Sequence, residues 1–452
     1  MTQKLQPVRG THDILPDDFE KFQAVVTRAR ELATLYGFRE MATPIFEATD
    51  VFSRSMGETS DVVSKEMFNF ETKGGESVCL RPEFTAGIAR AFISNGMQQH
   101  LPLKLFSTGP LFRYERPQKG RQRQFHQVNF EWLGDDSPEA DVDIILLAGQ
   151  LLFAISGQKS TLHINTLGDA ESREKYRNAL VAYLTPHQAN LSEDSQRRLE
   201  VNPLRILDSK DPRDREIIVN APKIIDHLNE KTKDRFAMVC KALECNKEID
   251  FFIHDIVVDY SLVRGLDYYT DIVFEFIGNS GDLGAQNTLL AGGRYDGLIE
   301  QMGGKPTPAI GFAAGVERLL LSLSEYELKK YDDLRIFIVP SDDATSEYIY
   351  ARSGFIRLKL WSLLRNSHSK RQCSLEVLRK GNQKKRMEHA NKHSATHVIK
   401  ISDSDSIIIK NMKTSEEQTV DILELNNTQK LIELFNITEL DPDLRRDDKK
   451  EQ

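Results

Sequence analysis

The sequence predicts an α+β protein with two or three domains. Three observations support this prediction. A helical pattern near the amino terminus leads into an extended stretch, two long strands form a predicted hairpin at residues 111–133, and strands alternate with helices after residue 334. The 452 residues are enough for more than one hydrophobic core.

The first predicted element is an amphipathic helix. Apolar residues recur at helical spacing over residues 19–36. Asp17 or Asp18 is expected to cap the helix, and Gly37 is expected to end it. Residues 38–43 then predict an extended segment.

The predicted hairpin carries an unusual polar face. A short strand is expected at residues 104–107, and two longer strands at residues 111–115 and 124–133. Side chains alternate between the two faces of a strand. One face of the hairpin therefore collects Arg113, Glu115, Phe125, Gln127, Asn129 and Glu131. Such a face is ordinarily solvated. The connecting loop also holds Arg116, Lys119, Arg121 and Arg123, so a polyphosphate site is a competing interpretation.

Two further segments contain residues suited to binding. Residues 311–318 predict a strand, a glycine and a helix that begins near Arg318. Residues 264–270 place Arg264 beside Tyr268 and Tyr269. Each segment alone has an ordinary structural explanation. No phosphate-cradling glycine-lysine loop, HExxH motif or serine triad occurs, so arginines must hold ATP if ATP binds.

Charge is distributed unevenly along the chain. Residues 334–420 contain 16 Lys and Arg against 9 Asp and Glu, a net charge of +7, whereas the whole chain carries −8 and the remainder therefore −15. A basic module on an acidic body fits partial contact with a polyanion, although a randomly basic surface has the same signature. A charged linker is expected at residues 325–333, and the charged tail at residues 437–452 is expected to be disordered.

The chain has the features of a cytoplasmic protein without a metal site. Cys79, Cys240, Cys245 and Cys373 form no zinc-binding spacing, so we expect reduced thiols. No secretory signal and no membrane-length apolar run is evident, so no contact with a membrane is expected.

Taken in chain order, these segments resemble a known family. The hairpin, residues 264–270 and residues 311–318 resemble motif 2, a histidine-specific motif and motif 3 of class II aminoacyl-tRNA synthetases, within these the histidyl-tRNA synthetase family. The helix and strand at residues 19–44 resemble motif 1, the dimer element. Other stretches that resemble the same family are residues 9–16, 80–86, 204–210 and 291–297. The likeness is dense over about the first 325 residues and looser after residue 334.

The resemblance implies a six- or seven-stranded antiparallel sheet flanked by helices in residues 1–325, interrupted by a helical insertion at about 171–255. It implies an α/β anticodon-binding domain at residues 334–436. Two departures stand out. Residues 402–405 replace a usual Gly-Glu turn, and Asp271-Ile272 replaces a usual Gly-Thr pair, which implies a local change in the strand.

The implied activity is ATP-dependent conversion of L-histidine to histidyl-adenylate, with transfer to the 3′ end of histidine tRNA by a homodimer. Magnesium would accompany the pyrophosphate. The implied catalytic residues are Arg113 and Arg264. Histidine would be bound by Glu83, Phe84, Thr85, Arg113, Gln127, Glu131, Arg264, Tyr268 and Tyr269. ATP would be bound by Arg113, Glu115, Arg121, Phe125 and Arg318. The tRNA acceptor end would meet Arg116 and Gln118.

Two other functions are weighed against this one. A non-catalytic regulatory paralogue that serves histidine biosynthesis would share the fold but typically lacks catalytic residues and the anticodon domain. A nucleotide- or RNA-binding module without ligation would need no paired arginines around an α-phosphate. This sequence contains Arg113, Arg121, Arg264 and Arg318 as well as the terminal domain, and these features favour the ligase.

Overall fold

In the computed structural model, the described residues are 4–57, 62–117, 120–249, 252–278, 288–322, 334–366 and 373–435. The chain divides into two compact units, Met1–Leu328 and Lys329–Gln452. Each unit is described by itself. The linker predicted at residues 325–333 and the tail predicted at residues 437–452 lie outside the described residues.

The first unit contains eleven of the described strands and ten of the described α-helices. The strands are β1 Arg39–Glu40, β2 Phe46–Ala48, β3 Phe68–Glu71, β4 Ser77–Leu80, β5 Leu103–Phe112, β6 Gln124–Leu133, β7 Ser160–Thr166, β8 Ile253–Val258, β9 Thr270–Ile277, β10 Thr288–Arg294 and β11 Ala309–Gly315. The helices are α1 Pro16–Leu35, α2 Thr49–Met56, α3 Thr85–Ser94, α4 Pro138–Ser156, α5 Ala170–Leu184, α6 Glu193–Val201, α7 Pro212–Ile218, α8 Glu230–Ile249, α9 Leu298–Gln301 and α10 Val316–Leu321.

A large sheet organises the first unit. Its strands lie in the order β1-β5-β6-β11-β10-β9-β7-β8. The six strands from β5 to β7 are antiparallel, which confirms the predicted sheet. Two parallel pairs, β1 with β5 and β7 with β8, extend it to eight strands. A separate sheet has the order β2-β4-β3.

The hairpin of β5 and β6 differs from the prediction at its first strand. β5 is one continuous strand that ends at Phe112, so Arg113 and Glu115 lie beyond it. Pro110 lies two residues before its end, opposite His126 of β6. On its other side, β5 pairs with β1 only at Leu105 and Phe106. The missing N–H of the proline therefore interrupts no ladder, and the strand continues through it.

Helices pack against the large sheet, and the hydrophobic core lies between them and the sheet. Helix α1 buries one face against the cluster that contains the sheet residues Phe106 and Phe130. Its amino-terminal residue is Pro16 and its cap residue is Leu15, which offers no side-chain cap. The predicted capping by Asp17 or Asp18 is therefore wrong, because both carboxylates already lie in the first turn, where they favour the helix dipole.

Between β7 and β8 the chain forms a helical segment, α5 to α8. A buried carboxylate holds part of it together. Asp214 accepts hydrogen bonds from the hydroxyls of Ser192 at 2.7 Å, Ser195 at 2.6 Å and Ser209 at 2.5 Å. Because an unpaired buried carboxylate would be costly, these bonds fix the loop that contains Ser209.

The second unit is an α/β domain, as the alternating pattern predicts. Its elements are β12 Leu334–Pro340, α11 Ser346–Asn366, β13 Cys373–Val377, α12 Gln383–Lys392, β14 His397–Ile401, β15 Ser406–Asn411, β16 Glu417–Asp421 and α13 Thr428–Phe435. The sheet order is β13-β12-β14-β15-β16. The first three strands are parallel and the last two join antiparallel. Sequence reasoning missed β16, because Val420 is its one buried residue.

The departure at Asp271 coincides with an irregular strand. Asp271 has φ of 46°, and the register of β9 against β10 shifts next to it. Its side chain is buried and accepts a hydrogen bond from the Thr166 hydroxyl at 2.9 Å. It also pairs with Arg235 of α8 at 2.9 Å. The left-handed backbone is thus accommodated by a residue whose carboxylate links the sheet to the helical segment.

This arrangement predicts the order of two substitutions. Asp271→Ala loses both side-chain contacts and keeps a Cβ in left-handed backbone, whereas Asp271→Gly loses only the contacts. We expect the alanine variant to be less stable than the glycine variant by about 1 kcal/mol. Urea unfolding at pH 7 measures the difference. Equal stability of the two variants would contradict the strain at this position.

Candidate active site

A cavity of about 600 Å³ opens over the central strands of the large sheet. It brings together residues that are far apart in sequence. The predicted site residues that line it are Glu83, Thr85, Arg113, Glu115, Arg121, Phe125, Gln127, Glu131, Arg264, Tyr268, Tyr269 and Arg318. The polar face of the predicted hairpin is therefore the wall of a cavity rather than a solvated surface.

Three predicted site residues are not in this lining. Phe84 is only 1% exposed and packs in the hydrophobic core, with the Arg81 guanidinium 4.5 Å from its ring centre. Its ring cannot face a ligand in the cavity, so its predicted contact with histidine is not supported. Arg116 is exposed. Gln118 lies outside the described residues.

One end of the cavity is built around Glu83. The start of α3 positions this carboxylate, which accepts hydrogen bonds from the backbone N–H groups of Thr85 at 2.9 Å and Ala86 at 2.7 Å. These groups belong to the first turn of the helix and have no partner within it. The Tyr268 hydroxyl donates to the same carboxylate at 3.3 Å. Burial raises the pKa of Glu83, and the backbone donors oppose that rise.

Glu131 is the second buried carboxylate. It accepts from the Thr85 hydroxyl at 2.5 Å, from the Asn129 amide at 2.9 Å and from the hydroxyl of Tyr295. Burial raises its pKa to about 7, against the opposing effect of these three donors. Gly311 of β11 lies directly opposite in the sheet, and a Cβ at that position would occupy the space of the carboxylate. The glycine is therefore a requirement of the site.

Guanidinium groups converge at the other end of the cavity. Arg113 donates to the Pro82 carbonyl at 3.0 Å, and its guanidinium lies 5.3 Å from the centre of the Phe125 ring. Arg318 donates to the carbonyls of Gly120 at 3.3 Å and Thr288 at 2.8 Å. Burial lowers the pKa of Arg318, and the neighbouring Arg121 adds to this effect. Closely spaced cations of this kind suit a polyanionic ligand.

A neighbouring carboxylate that also lines the cavity holds Arg264 in place. Its guanidinium pairs with Glu275 of β9. The other oxygen of Glu275 accepts from the Thr288 hydroxyl at 2.8 Å. Burial disfavours the charge of Arg264, but Glu275 and the neighbouring tyrosines outweigh it, so the pKa of Arg264 is raised. The cation is thus charged and fixed before any ligand arrives.

Several lining residues escaped the sequence reasoning. Tyr295 lies in residues 291–297, which resemble the family but have no predicted role. No periodicity of the sequence indicates that the Tyr295 hydroxyl reaches Glu131. The other lining residues not predicted include His163, Arg205, Lys210 and Glu275. Among the described residues, no group of three or more His, Cys, Asp or Glu could hold a metal ion. No helix in the described part of the chain is long and apolar enough to cross a membrane.

The antiparallel sheet over which this cavity opens is the fold that the resemblance to class II aminoacyl-tRNA synthetases implies. Comparison with known proteins identifies the branch. Residues 10–319 match the sequence profile of the family described as Histidyl-tRNA synthetase. The chain therefore belongs to the histidyl-tRNA synthetase family.

Individual relatives agree with this assignment. The chain is 48% identical over 423 residues to a histidine–tRNA ligase of Rhodospirillum rubrum, covering 92% of this chain and 96% of the relative. It is 46% identical over 432 residues to the ligase of Ehrlichia ruminantium strain Welgevonden, covering 93% of this chain and 97% of the relative. The crystal structure of apo histidyl-tRNA synthetase from S. aureus superimposes with a TM-score of 0.72 at 33% identity, covering 96% of this chain and all of that one.

One structural relative concerns the regulatory alternative. A Bacillus halodurans protein described as an ATP phosphoribosyltransferase regulatory subunit/histidyl-tRNA synthetase has a TM-score of 0.60 at 21% identity, covering 89% of this chain and all of that one. This likeness shows a shared fold alone. The near full-length ligase relatives therefore favour the enzyme over the paralogue.

The raised pKa of Glu131 predicts a pH-dependent effect on stability. The pKa of Glu131 is about 7 in the folded protein and about 4.3 in an unfolded chain, so the folded protein binds this proton more tightly. The resulting stabilisation of the folded state is fully present below the pKa of the unfolded chain. That contribution is lost as pH rises through 7. Glu131→Gln has no such proton to lose. The variant should therefore gain about 2 kcal/mol relative to the wild type between pH 5 and pH 8.

Unfolding in urea at these two pH values measures this change. Comparing the variant with the wild type removes the contribution of the titrating groups that do not interact with Glu131. A difference in stability that stays constant with pH would show that Glu131 is not held as described.

Proposed function

We propose that the cavity binds L-histidine and ATP, and that the chain forms histidyl-adenylate and transfers histidine to the 3′ end of histidine tRNA. The observation that carries this proposal is the separation of charge in one cavity. Buried carboxylates lie at one end and arginines at the other, as an amino acid joined to a nucleotide requires. Family membership and the ligase relatives support the same reaction.

In the first step, the histidine carboxylate attacks the α-phosphate and pyrophosphate leaves. No protein nucleophile is required, so the protein acts by positioning the reactants and stabilising phosphoryl charge. Arg113 would bridge the two reacting groups, since it lies between the Pro82 carbonyl and the Phe125 ring. Arg264 would stabilise the α-phosphate from the opposite side, where Glu275 fixes it.

The remaining arginines suit the rest of ATP. Arg121 and Arg318 would contact the β- and γ-phosphates, while Glu115 and Phe125 would receive the adenine. Of these, Arg121 already pairs with Glu115 at 3.1 Å. A magnesium ion fits as an ion carried by the phosphates, because Mg²⁺ usually takes one or two carboxylates and keeps its other ligands from substrate and water. Bound there, it would neutralise charge on the pyrophosphate.

Histidine would be recognised at the carboxylate end. Glu83, Thr85 and Gln127 would hold its ammonium group. Glu131 and the tyrosines Tyr268 and Tyr269 would contact the imidazole. A site built from buried polar groups discriminates by hydrogen bonding, because an apolar side chain of similar shape would leave those groups unpaired.

The second step needs tRNA. Arg116 is exposed next to the cavity residue Glu115 and would contact the acceptor end together with Gln118. The unit after residue 334 would bind the anticodon, which its basic charge supports. We further propose a homodimer through residues 19–44, since the apolar side chains of Phe19 and Leu35 are 46% and 72% exposed there. The four free cysteines support a cytoplasmic location.

Histidine-dependent exchange of pyrophosphate into ATP tests the function directly. The wild-type protein should catalyse this exchange, and Arg264→Ala should lower kcat on the order of 10²-fold or more, because a cation at the α-phosphate is removed. Arg213→Ala is a matched control, since Arg213 pairs with Asp211 at the surface, away from the cavity lining. Wild-type protein without exchange activity would refute the function, and a fully active Arg264→Ala would refute the role.

Removal of the second unit tests its proposed role in tRNA binding. A chain that ends at Leu328 keeps all residues that line the cavity. It should retain pyrophosphate exchange while its charging of tRNA falls at least roughly tenfold, because phosphate contacts are lost. Unchanged charging by the shortened chain would contradict the anticodon-binding assignment.

A further inference from the structure

The two tyrosines of the cavity lie in a loop that contains no helix or strand. This tyrosine loop spans residues 262–269, directly before β9. Tyr268 and Tyr269 both line the cavity, and the Tyr268 hydroxyl donates to Glu83 at 3.3 Å. The ring centres of the two tyrosines are 4.9 Å apart, and the Tyr268 ring also meets Tyr295 with centres 5.7 Å apart. The placement of these rings therefore depends on what holds the backbone of the loop.

One arginine of the helical segment holds this backbone. Arg173 lies in the first turn of α5 and is half-buried. One terminal nitrogen of its guanidinium donates to the carbonyl of Tyr269 at 2.9 Å, and the other donates to the carbonyl of Asp267 at 3.1 Å. Burial lowers the pKa of Arg173, and the Asp267 carboxylate opposes this effect. Arg173 is not among the described residues that line the cavity, so it holds the tyrosine loop from outside.

The start of α5 is itself fixed. Asp169 caps the helix by accepting from the backbone N–H of Ser172 at 2.9 Å, and it also accepts from the side-chain amide of Asn229 at 2.6 Å. The backbone N–H of Asn229 in turn donates to the Ser172 hydroxyl at 3.2 Å. Asn202 follows α6 and donates its side-chain amide to the Asp267 carboxylate at 2.7 Å. The helical segment therefore contacts the tyrosine loop at two points and from an ordered base.

We propose that Arg173 is a positioning residue for the amino acid end of the cavity, which holds the tyrosine loop so that Tyr268 and Tyr269 face the imidazole. The proposal rests on the proposed function, which assigns these tyrosines to histidine. Arg173 would touch neither histidine nor ATP. Without its two hydrogen bonds, the tyrosine loop would adopt the binding arrangement for a smaller fraction of the time. The apparent affinity for histidine falls by that fraction.

The cation of the same loop is held by a different element. Arg264 pairs with Glu275 of β9, and the other oxygen of Glu275 accepts from the Thr288 hydroxyl at 2.8 Å. The sheet therefore fixes the group assigned to the α-phosphate, whereas the helical segment fixes the backbone of the two tyrosines. Loss of Arg173 should for this reason weaken the binding of histidine more than it slows the reaction of bound substrates.

Arg173→Met tests the proposal, because it removes both donors and keeps a long side chain. The KM for histidine in pyrophosphate exchange should rise roughly tenfold or more, since two charge-assisted hydrogen bonds are lost. The KM for ATP and kcat should change little, because an interaction present equally in the ground state and the transition state affects KM alone. Calorimetric titration with L-histidine in the absence of ATP should show a similar loss of affinity.

Two further variants separate positioning from a general effect on the fold. Arg173→Lys places a single ammonium where arginine offers a planar fork, so it should restore part of the binding and give an intermediate KM for histidine. Arg177→Met is the matched control, because Arg177 is exposed one turn further along the same helix, and both KM values should equal those of the wild type. Melting curves of the full-length proteins establish folding. If the methionine variant unfolds, the lysine variant decides, with a raised KM for histidine and an unchanged KM for ATP expected.

An unchanged KM for histidine in a folded Arg173→Met protein would overturn the proposal. An equal rise in the KM for histidine and for ATP would also overturn it, since that result indicates a general loosening of the cavity. The same holds for an equal effect of Arg177→Met. Wild-type protein without exchange activity would instead contradict the proposed function, so the two failures are distinguishable in one set of assays.

Discussion

Two carboxyl groups buried beside the large sheet are the constraint on which the site depends. Glu83 and Glu131 are 4% and 1% exposed, and a buried carboxylate is tolerated only when hydrogen bonds replace water. The start of α3 supplies backbone donors to one of them, and Thr85 joins them by donating its hydroxyl to the other. Gly311 keeps the neighbouring strand bare of a side chain. The register of β6 against β11 is therefore a requirement of the chemistry as well as of the fold.

Two arginines that line the cavity are held by ion pairs with carboxylates of the protein. Arg264 pairs with Glu275, and Arg121 pairs with Glu115. An unpaired buried charge would cost several kcal/mol, so internal partners keep the arginines ordered while the cavity lacks ligand. In the proposed reaction, phosphate oxygens join or replace these partners. Such preorganised cations stabilise developing charge without reorganising when the reaction occurs.

Much of this arrangement could be predicted because it follows local rules. The alternation of β6 placed Gln127 and Glu131 on one face, and the resemblance in chain order placed Arg264 and Arg318 with them. Other features depend on contacts between distant segments. The bond from Tyr295 to Glu131 spans 164 residues of sequence, and no periodicity reports such a contact. The left-handed backbone at Asp271 likewise needs Thr166 and Arg235, which belong to other elements.

The central claim is that the buried carboxylate end of the cavity selects an imidazole by hydrogen bonding. Calorimetric titration of the full-length protein with L-histidine and with L-phenylalanine tests this claim most directly, since both share the amino acid backbone and a flat ring. Histidine should give saturable binding, and phenylalanine should bind more weakly by about 10⁴-fold, which is the scale for a site built to hydrogen-bond its ligand. Binding of phenylalanine within about tenfold of histidine would contradict the account.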